Sequence, residues 1–153
     1  MKVYRVTKTQ YAQDLNGTGS KLFGGRWNHV DSPCIYMSES RALSVLEYAV
    51  NINIDFIPRA LSLCVFEIDD NQIHTLKEED LPGNWRETPV PKSTKDFGTK
   101  LLKQNHAILK IPSIIIPQEF NYVLNPLAEN SRFKLLEIKD FVFDLRIKSN
   151  KEK

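Results

Sequence analysis

The sequence lacks the residues and motifs on which most familiar catalytic sites depend. Its 153 residues include two cysteines and three histidines, and these are not spaced as zinc ligands are. It contains no Walker phosphate-binding loop, no dinucleotide-binding glycine fingerprint and no HExxH motif. We therefore expect no metal site. A Ser-His-Asp triad stays open at this point, because such triads are recognised by geometry and not by their order in the chain.

Strong charge and long apolar runs are also missing. The net charge is +2, so the basic surface typical of a nucleic-acid-binding protein is absent. No apolar run is long enough to cross a membrane, and the N-terminus has no segment like a signal peptide. Cys34 and Cys64 each have apolar neighbours, which favours buried free thiols in a reducing compartment. We expect a cytoplasmic protein that binds neither nucleic acid nor membrane directly.

The residues that are present are typical of one folded domain. With 41% hydrophobic and 26% charged residues, a chain of this length buries about two thirds of its unfolded surface. Alternating apolar residues predict strands, and a 3.6-residue period predicts helices. The predicted strands are residues 2–6, 34–37, 61–68, 106–117 with a break at Pro112, and 141–147, and the predicted helices are 40–51 and 97–104. We expect one α+β domain over residues 1–148 with a mixed β-sheet core, followed by a solvated tail at 149–153.

Two segments between these elements are predicted to be irregular. Residues 73–95 are polar and contain three prolines, so they should run over the surface, with Trp85 anchoring them to the core. Asn121, Asn125 and Pro126 lie in a segment rich in turn-forming residues.

Gly24-Gly25-Arg26-Trp27-Asn28 joins a glycine pair to a cation, an aromatic ring and an amide. Glycine pairs mark tight turns or the close approach of a backbone to another group. The pentapeptide is therefore either a loop with Trp27 buried and Arg26 in solvent, or the edge of a ligand site. The long polar segment before it favours a site, since long irregular loops often border one.

Glu47 falls on or beside the apolar face of the helix predicted at residues 40–51. Leu43, Leu46 and Val50 form that face, widened by neighbouring alanine and valine residues. A glutamate is seldom buried without a partner. Its stem could pack on the core while its carboxylate reaches water, or the carboxylate could lie at the bottom of a cleft. The sequence leaves both possibilities open.

Arg26, Tyr36, Glu47 and Ser113 are the best-supported candidate site residues. Arginine can donate two parallel hydrogen bonds to a phosphate, and tyrosine offers a flat face with a polar tip. A buried carboxylate can stabilise positive charge that develops on a sugar. Ser113 lies between apolar residues, so its hydroxyl needs a partner or a ligand. The set suits a nucleotide with a diphosphate, a planar base and a reactive ribose, without identifying it.

A series of short segments occurs in a characteristic order along nearly the whole chain. They are Gly24-Gly25-Arg26-Trp27-Asn28, Ile35-Tyr36-Met37-Ser38, Leu46-Glu47, Ile111-Pro112-Ser113 and Asn121-Tyr122-Val123-Leu124-Asn125-Pro126, with further landmarks at Tyr4-Arg5, Asn16-Gly17-Thr18-Gly19, Leu81-Pro82-Gly83-Asn84-Trp85 and Phe143-Asp144-Leu145-Arg146. This ordered set resembles the RES-domain family. The family is named for an arginine, a glutamate and a serine, which the resemblance places at Arg26, Glu47 and Ser113.

The resemblance implies a fold similar to that of ADP-ribosyltransferase toxins and an activity directed at NAD. RES-domain proteins are toxins of bacterial type II toxin–antitoxin pairs, usually encoded with an Xre-like antitoxin that carries a helix-turn-helix. Most are thought to cleave the nicotinamide–ribose bond with water or phosphate as acceptor, and at least one branch transfers ADP-ribose to a protein. We expect an NAD glycohydrolase or phosphorylase with NAD as its substrate. A mono-ADP-ribosyltransferase is the alternative, and a non-catalytic or RNA-directed module is a more distant one.

The same resemblance implies roles for individual residues. Arg26 would hold the diphosphate or a ribose hydroxyl, Tyr36 would stack on nicotinamide or position its ribose, and Glu47 would stabilise the oxocarbenium-like transition state. These three are the predicted catalytic residues. The predicted NAD-contacting residues are Arg5, Arg26, Trp27, Asn28, Tyr36, Ser38, Ser113 and Asn125, with Trp27 and Asn28 also expected to brace the loop. A toxin homodimer bound to the antitoxin is the predicted assembly.

Overall fold

A seven-stranded β-sheet forms the centre of the fold. The computed structural model describes residues 1–148; residues 149–153, predicted to be a solvated tail, lie outside the described residues. The strands are β1 (Lys2–Lys8), β2 (Ile35–Ser38), β3 (Leu61–Ile68), β4 (Ile73–Thr75), β5 (Ile108–Pro112), β6 (Phe120–Leu124) and β7 (Phe133–Phe141). Their order across the sheet is β4-β5-β6-β2-β1-β3-β7. β4 and β5 are parallel and all other neighbours are antiparallel, so the predicted α+β domain with a mixed sheet is confirmed.

Three α-helices complete the described part of the chain: α1 (Thr18–Phe23), α2 (Arg41–Asn51) and α3 (Lys92–Lys103). Ser40 caps α2, because its hydroxyl accepts a 3.0 Å hydrogen bond from the N–H of Leu43. The sequence allows Ser38 or Ser40 as the cap, and the structure selects Ser40. α3 begins at Lys92, earlier than predicted. Pro91 stands at its N-cap position, where the missing N–H of proline costs no intrahelical hydrogen bond. No helix within residues 1–148 is long and apolar enough to cross a membrane.

The buried face of α2 is rotated relative to the predicted apolar stripe. Leu43 and Ala49 are buried as predicted, whereas Val50 is 59% exposed. Ser44 is also buried, and Glu47 is half-buried. α2 packs against β1 and β2 on a face that includes polar residues. An apolar period does not register a buried polar residue such as Ser44, so it places the buried face too far toward Val50.

The two faces of the sheet carry different cores. One face bears Val3, Ile35, Met37, Cys64, Phe66, Ile108, Tyr122 and Leu124. The other bears Leu109, Ile111 and Val123, packed with Trp27, Trp85 and Leu102. Directly paired residues lie on the same face of a sheet. The pairs Tyr4–Ser38, Ser38–Asn121 and Asn121–Ile111 therefore place these four residues on the second face.

The segment at residues 73–95 covers part of the second face. Leu76, Leu81 and Trp85 are buried within it, and the ring centroids of Trp85 and Trp27 are 5.9 Å apart. The prediction that Trp85 anchors this largely exposed segment is confirmed. Cys34 and Cys64 are also buried and free, as predicted.

Two predictions about the C-terminal third are wrong. The last described strand is β7, which ends at Phe141, and the rest of the segment predicted as a strand at residues 141–147 leaves the sheet and ends in a 3-10 turn at Leu145–Ile147. Its apolar pattern has another cause, since Phe143 is buried against Tyr48 of α2. Asn121 lies in β6 and not in a turn, because pairing with β2 and β5 outweighs the low strand propensity of asparagine.

Candidate active site

Glu47 lies at the centre of a group of polar side chains on the second face of the sheet. Its Oε1 accepts a 2.8 Å hydrogen bond from the Ser113 hydroxyl and a 2.6 Å hydrogen bond from the Asn121 side-chain amide. The Ser38 hydroxyl donates in turn to Oδ1 of Asn121 at 2.8 Å. This geometry bears on the two possibilities left open by the sequence, although a cleft above the carboxylate stays a prediction. The carboxylate is held by protein donors and does not simply extend into water.

The strand register explains why these side chains meet. Ser38 is the last residue of β2, and Asn121 is its direct partner in β6. α2 begins shortly after β2 and packs on it, which brings Glu47 over that pair. Asn121 is the one member of the group that was not predicted as a site residue. Its segment contributed to the family resemblance, but its assignment to a turn concealed its strand partner.

Ser113 shapes a turn while it holds the carboxylate. It is fully buried and follows the end of β5 directly. Its hydroxyl oxygen accepts hydrogen bonds from the N–H groups of Ile115 at 3.1 Å and Ile116 at 3.3 Å, and its proton goes to Glu47. The partner that the sequence requires for this hydroxyl is thus a carboxylate together with two backbone donors.

The Tyr36 hydroxyl holds the loop that contains the glycine pair. It donates a 2.6 Å hydrogen bond to Oδ1 of Asn28 and accepts a 3.0 Å hydrogen bond from the N–H of Trp27. The tyrosine ring lies against Gly25, where a Cβ atom would be 2.6 Å from the Tyr36 oxygen. Position 25 therefore requires glycine. Burial raises the pKa of Tyr36 well above its usual value, so this hydroxyl keeps its proton and its role as a donor.

Trp27 and Asn28 occupy the bracing positions expected of them. Asn28 is fully buried, and its amide nitrogen donates to three backbone carbonyl groups at 2.8 to 3.2 Å. The indole ring of Trp27 packs against Trp85 and Phe97, with ring centroids 5.9 and 6.2 Å apart. These contacts fix the shape of the loop. Direct contact of either residue with a ligand stays a prediction.

Arg26 extends from the same loop to the segment around Trp85. Its Nη1 donates to the carbonyl oxygens of Trp85 and Glu87, each at 2.9 Å, and its Nη2 lies 3.4 Å from the Thr88 hydroxyl. Burial lowers the pKa of Arg26, and the negative charge of Glu47 opposes that lowering. The guanidinium itself is directed to Trp85, Glu87 and Thr88. Within residues 1–148 Nε has no hydrogen-bond partner, and the binding of an anion by Arg26 stays a prediction.

Arg5 lies on the other side of the sheet from the Glu47 group. Tyr4 shares a face with Ser38, and neighbouring residues of a strand point to opposite faces. The Nη2 atom of Arg5 donates to the carbonyl oxygens of Tyr11 at 3.0 Å and Asp14 at 3.2 Å. Arg5 holds the loop after β1, and its contact with a ligand stays a prediction.

Asn125 also serves a local structure. It is buried, and its amide nitrogen donates to the carbonyl oxygens of Leu102 at 3.0 Å and His106 at 2.9 Å. These bonds tie the end of β6 to the turn between α3 and β5. The structure brings Ser38, Glu47 and Ser113 together with Asn121, and it leaves Asn125 outside that group.

Two surface depressions lie apart from the candidate site. One of about 380 Å³ is lined by His29, Asp96, Thr99, Lys100, Lys103 and Gln104, and another of about 440 Å³ lies between Leu22 and Leu127. Neither contains a predicted catalytic residue. The hydrogen-bonded group around Glu47 identifies the candidate site better than cavity size does, because it holds a charge in a fixed position. Across residues 1–148 no three His, Cys, Asp or Glu residues are arranged to hold a metal ion.

The fold and this group of side chains define an α+β protein whose candidate site is built around a carboxylate held by protein donors. The chain belongs to the RES domain family, whose model matches residues 2–146. It is 36% identical over 152 residues to "Toxin Res" of Photorhabdus laumondii subsp. laumondii, covering 96% of this chain and 97% of that one. A protein of Sphingobium sp. named "Prs ADP-ribosylating toxin" is 33% identical over 146 residues, covering 92% and 90%.

A likeness in fold extends to a solved structure. The crystal structure of the M. tuberculosis MbcT-MbcA toxin–antitoxin complex contains a chain that matches this one with a TM-score of 0.73. The match covers 92% of this chain and 83% of that chain, at 18% sequence identity. At this identity the comparison shows a shared fold, and the family membership rests on the sequence.

Proposed function

We propose that the protein is a toxin that consumes NAD by cleaving the bond between nicotinamide and ribose. The observation that carries the proposal is the Glu47 carboxylate, whose Oε1 is held by Ser113 and Asn121. A fixed carboxylate beside a ribose stabilises positive charge as it develops on the sugar. Arg26 supplies a complementary charge for the diphosphate.

In the proposed reaction the bond between the ribose carbon and nicotinamide breaks, and its electron pair stays on the nicotinamide nitrogen. The ribose carbon gains oxocarbenium character. Glu47 stabilises it through Oε2, since the hydrogen bonds it accepts within residues 1–148 all fall on Oε1. A water or phosphate oxygen then forms the new bond to that carbon, and water releases its proton to solvent. Nicotinamide leaves as a neutral base, so no acid has to protonate it.

The proposed role of Tyr36 has two parts. Its hydroxyl holds the loop that carries Arg26, and its ring, which is not fully buried, offers a flat surface to nicotinamide or its ribose. The contact with nicotinamide is the part that an activity measurement has to establish.

The names of the relatives support a toxin that acts together with an antitoxin. Two relatives that are each 36% identical are named "Toxin Res", and the solved structure of similar fold is a toxin–antitoxin complex. We propose an antitoxin as partner, in particular an Xre-like protein with a helix-turn-helix, and a toxin homodimer within the complex. NAD is the substrate in this proposal, and the bacterial cytoplasm is the location.

A second activity is favoured by one specific observation. The Sphingobium relative named "Prs ADP-ribosylating toxin" aligns with 92% of this chain. Transfer of ADP-ribose to a protein uses the same bond cleavage, with a nucleophilic side chain of the target protein in place of water or phosphate. The two activities therefore make the same demands on Glu47 and Arg26 and differ in the acceptor.

Product identification separates these reactions. Protein made in a cell-free system is incubated with NAD, with and without phosphate, and the products are identified by mass spectrometry. Free ADP-ribose indicates hydrolysis, its 1″-phosphate indicates phosphorolysis, and a mass increase on an added cell-extract protein indicates transfer.

Glu47→Gln is the decisive variant because it keeps the side-chain shape and removes the charge. We expect its rate to fall by at least a hundredfold, on the order of 3 kcal/mol of transition-state stabilisation. Glu67→Gln, at an exposed position of β3, is the matched control and should keep the wild-type rate. If Glu47→Gln consumes NAD as fast as the wild type, the proposed mechanism is wrong.

A further inference from the structure

Asn121 uses both polar ends of its side chain, one toward Ser38 and one toward Glu47. The amide nitrogen donates to Oε1 of Glu47 at 2.6 Å, and Oδ1 accepts from the Ser38 hydroxyl at 2.8 Å. The orientation of the amide follows from chemistry, because an ionised carboxylate only accepts hydrogen bonds. The nitrogen must face Glu47, and the oxygen is then left for a serine hydroxyl, which can donate.

We infer that Asn121 is a positioning residue for the reaction at Glu47, an inference that rests on the proposed function. Its amide fixes which carboxylate oxygen faces the protein and which faces the ribose. With Oε1 bound to Asn121 and Ser113, Oε2 is the oxygen presented to the substrate. Without this fixation the carboxylate could rotate, since its terminal torsion has broad, two-fold preferences.

The two donors on Oε1 lie in different kinds of structure, Ser113 in a turn and Asn121 in a strand. Ser113 lies in a turn after β5, and its hydroxyl also serves two backbone N–H groups. Asn121 lies in β6, between β5 and β2 in the interior of the sheet. Its direct partner Ser38 is buried. The register of three paired strands therefore sets the backbone position of Asn121, and its two hydrogen bonds set the orientation of the amide.

Glu47 is the one charged group among the side chains of residues 1–148 that are hydrogen-bonded to this amide. Arg26 is the cation whose pKa responds to Glu47, and the remaining hydrogen-bond partners of Glu47 and Asn121, Ser113 and Ser38, are neutral hydroxyl groups. A new negative charge at position 121 would therefore face Glu47 at the length of a short hydrogen bond. Asn121→Asp provides that charge with almost no change in shape, and its effect depends on pH.

The test measures kcat and KM for NAD across a range of pH with the wild type and Asn121→Asp. Two carboxyl groups at this distance share one proton, so the pair acquires a raised apparent pKa. Below that pKa the protonated new carboxyl donates to Glu47 as the amide does, and we expect kcat within about threefold of the wild type. Above it the repelling charges should lower kcat at least about tenfold, with little change in KM. The wild type should lack this alkaline decline.

Two further variants isolate the amide. Asn121→Leu removes the donor at similar volume and should lower kcat about tenfold or more at every pH, with KM nearly unchanged. Ser38→Ala frees Oδ1 of Asn121 and should have a smaller effect in the same direction. Asn71→Asp adds a carboxylate at an exposed position and should leave the pH profile unchanged. Thermal unfolding of each variant shows whether it is folded.

The outcomes separate this inference from the proposed function. If kcat declines at alkaline pH in Asn121→Asp but not in the wild type or in Asn71→Asp, the positioning role is supported. This holds even if Asn121→Leu fails to fold. A uniform loss at every pH in Asn121→Asp, or wild-type kinetics in both position-121 variants, overturns it while the NAD activity of the wild type stands. A folded wild-type protein that leaves NAD intact overturns the proposed function, and the positioning role with it.

Discussion

Gly98 of α3 lies directly against the carbonyl group of Trp27, since a Cβ atom at position 98 would be 2.0 Å from the Trp27 oxygen. The helix and the loop at residues 24–28 thus meet backbone to backbone, an approach that glycine alone allows. The next residue, Thr99, accepts a 3.0 Å hydrogen bond from the N–H of His29. Two successive positions of α3 therefore fix the loop that carries Arg26.

Gly98→Ala should destabilise the protein. Overpacking a tight contact costs about 1–3 kcal/mol, which exceeds the gain of up to about 1 kcal/mol from the better helix propensity of alanine. Urea denaturation measures the free energy of unfolding. Gly83→Ala is the matched control, because a Cβ atom there has no neighbour within 4 Å. A Gly98→Ala protein as stable as the wild type would show that the helix can move away from Trp27 at no cost.

Tyr36→Phe should lower stability and activity together. The change leaves the N–H of Trp27 and Oδ1 of the buried Asn28 without their partner, at a cost of about 1–3 kcal/mol. The loop that holds Arg26 then loosens, so KM for NAD should rise. Tyr4→Phe is the control, since no hydrogen bond of the Tyr4 hydroxyl occurs within residues 1–148. Unchanged unfolding and KM in Tyr36→Phe would contradict the bracing role.

Arg26→Lys should raise KM for NAD even though it keeps the positive charge. A lysine cannot hold the Trp85 and Glu87 carbonyl oxygens and also present a planar pair of donors to a diphosphate. The loss of one charge-assisted hydrogen bond is worth about 1.5–3 kcal/mol, or roughly a tenfold to hundredfold rise in KM. Steady-state kinetics measure it. Arg59→Lys, at an exposed position, should behave as the wild type.

Cys34 makes the stability of the protein sensitive to alkaline pH. Burial raises the pKa of its thiol from 9.0 to about 12. Because the pKa is higher in the folded protein, the protonated thiol contributes to the stability of the fold. This contribution is complete below pH 9 and is lost as the pH rises from 9 to about 12. Near pH 10.5 the loss should be about 2 kcal/mol relative to neutral pH. Urea denaturation at neutral pH and near pH 10.5 measures this loss in the free energy of unfolding. The loss should be smaller for Cys34→Ala than for the wild type, and equal losses would show that Cys34 is not its source.

The sequence predicted some features of the site well because they depend on local chemistry. The apolar surroundings of Ser113 required a partner for its hydroxyl, and the structure supplies Glu47. The position of Glu47 beside an apolar stripe, by contrast, left open whether its carboxylate reaches water or is held, and only the hydrogen bonds to Ser113 and Asn121 show that it is held. Other features depended on pairing between distant segments. Asn121 was assigned to a turn because its register with Ser38 joins residues far apart in the chain.

The strand at residues 141–147 was predicted wrongly for a related reason. Its alternating apolar residues suit a strand, but Phe143 packs on Tyr48 of α2 instead of on the sheet. An apolar period predicts which side chains become buried, but it does not predict which part of the protein they pack against. β7 was missed because its exposed lysine and acidic residues resemble a solvated segment, although it pairs with β3 along nearly its whole length.

The sequence by itself determined the single α+β domain, the presence of α2 and the family to which the chain belongs. These follow from local spacing, from composition and from an ordered set of segments. The tertiary structure decided which polar residues act together. It joined Glu47 to Ser113 and Asn121 and placed Arg5 on the opposite face of the sheet. The reason is physical, since hydrogen bonds between side chains depend on strand register and helix rotation, and these are set by packing across the whole domain.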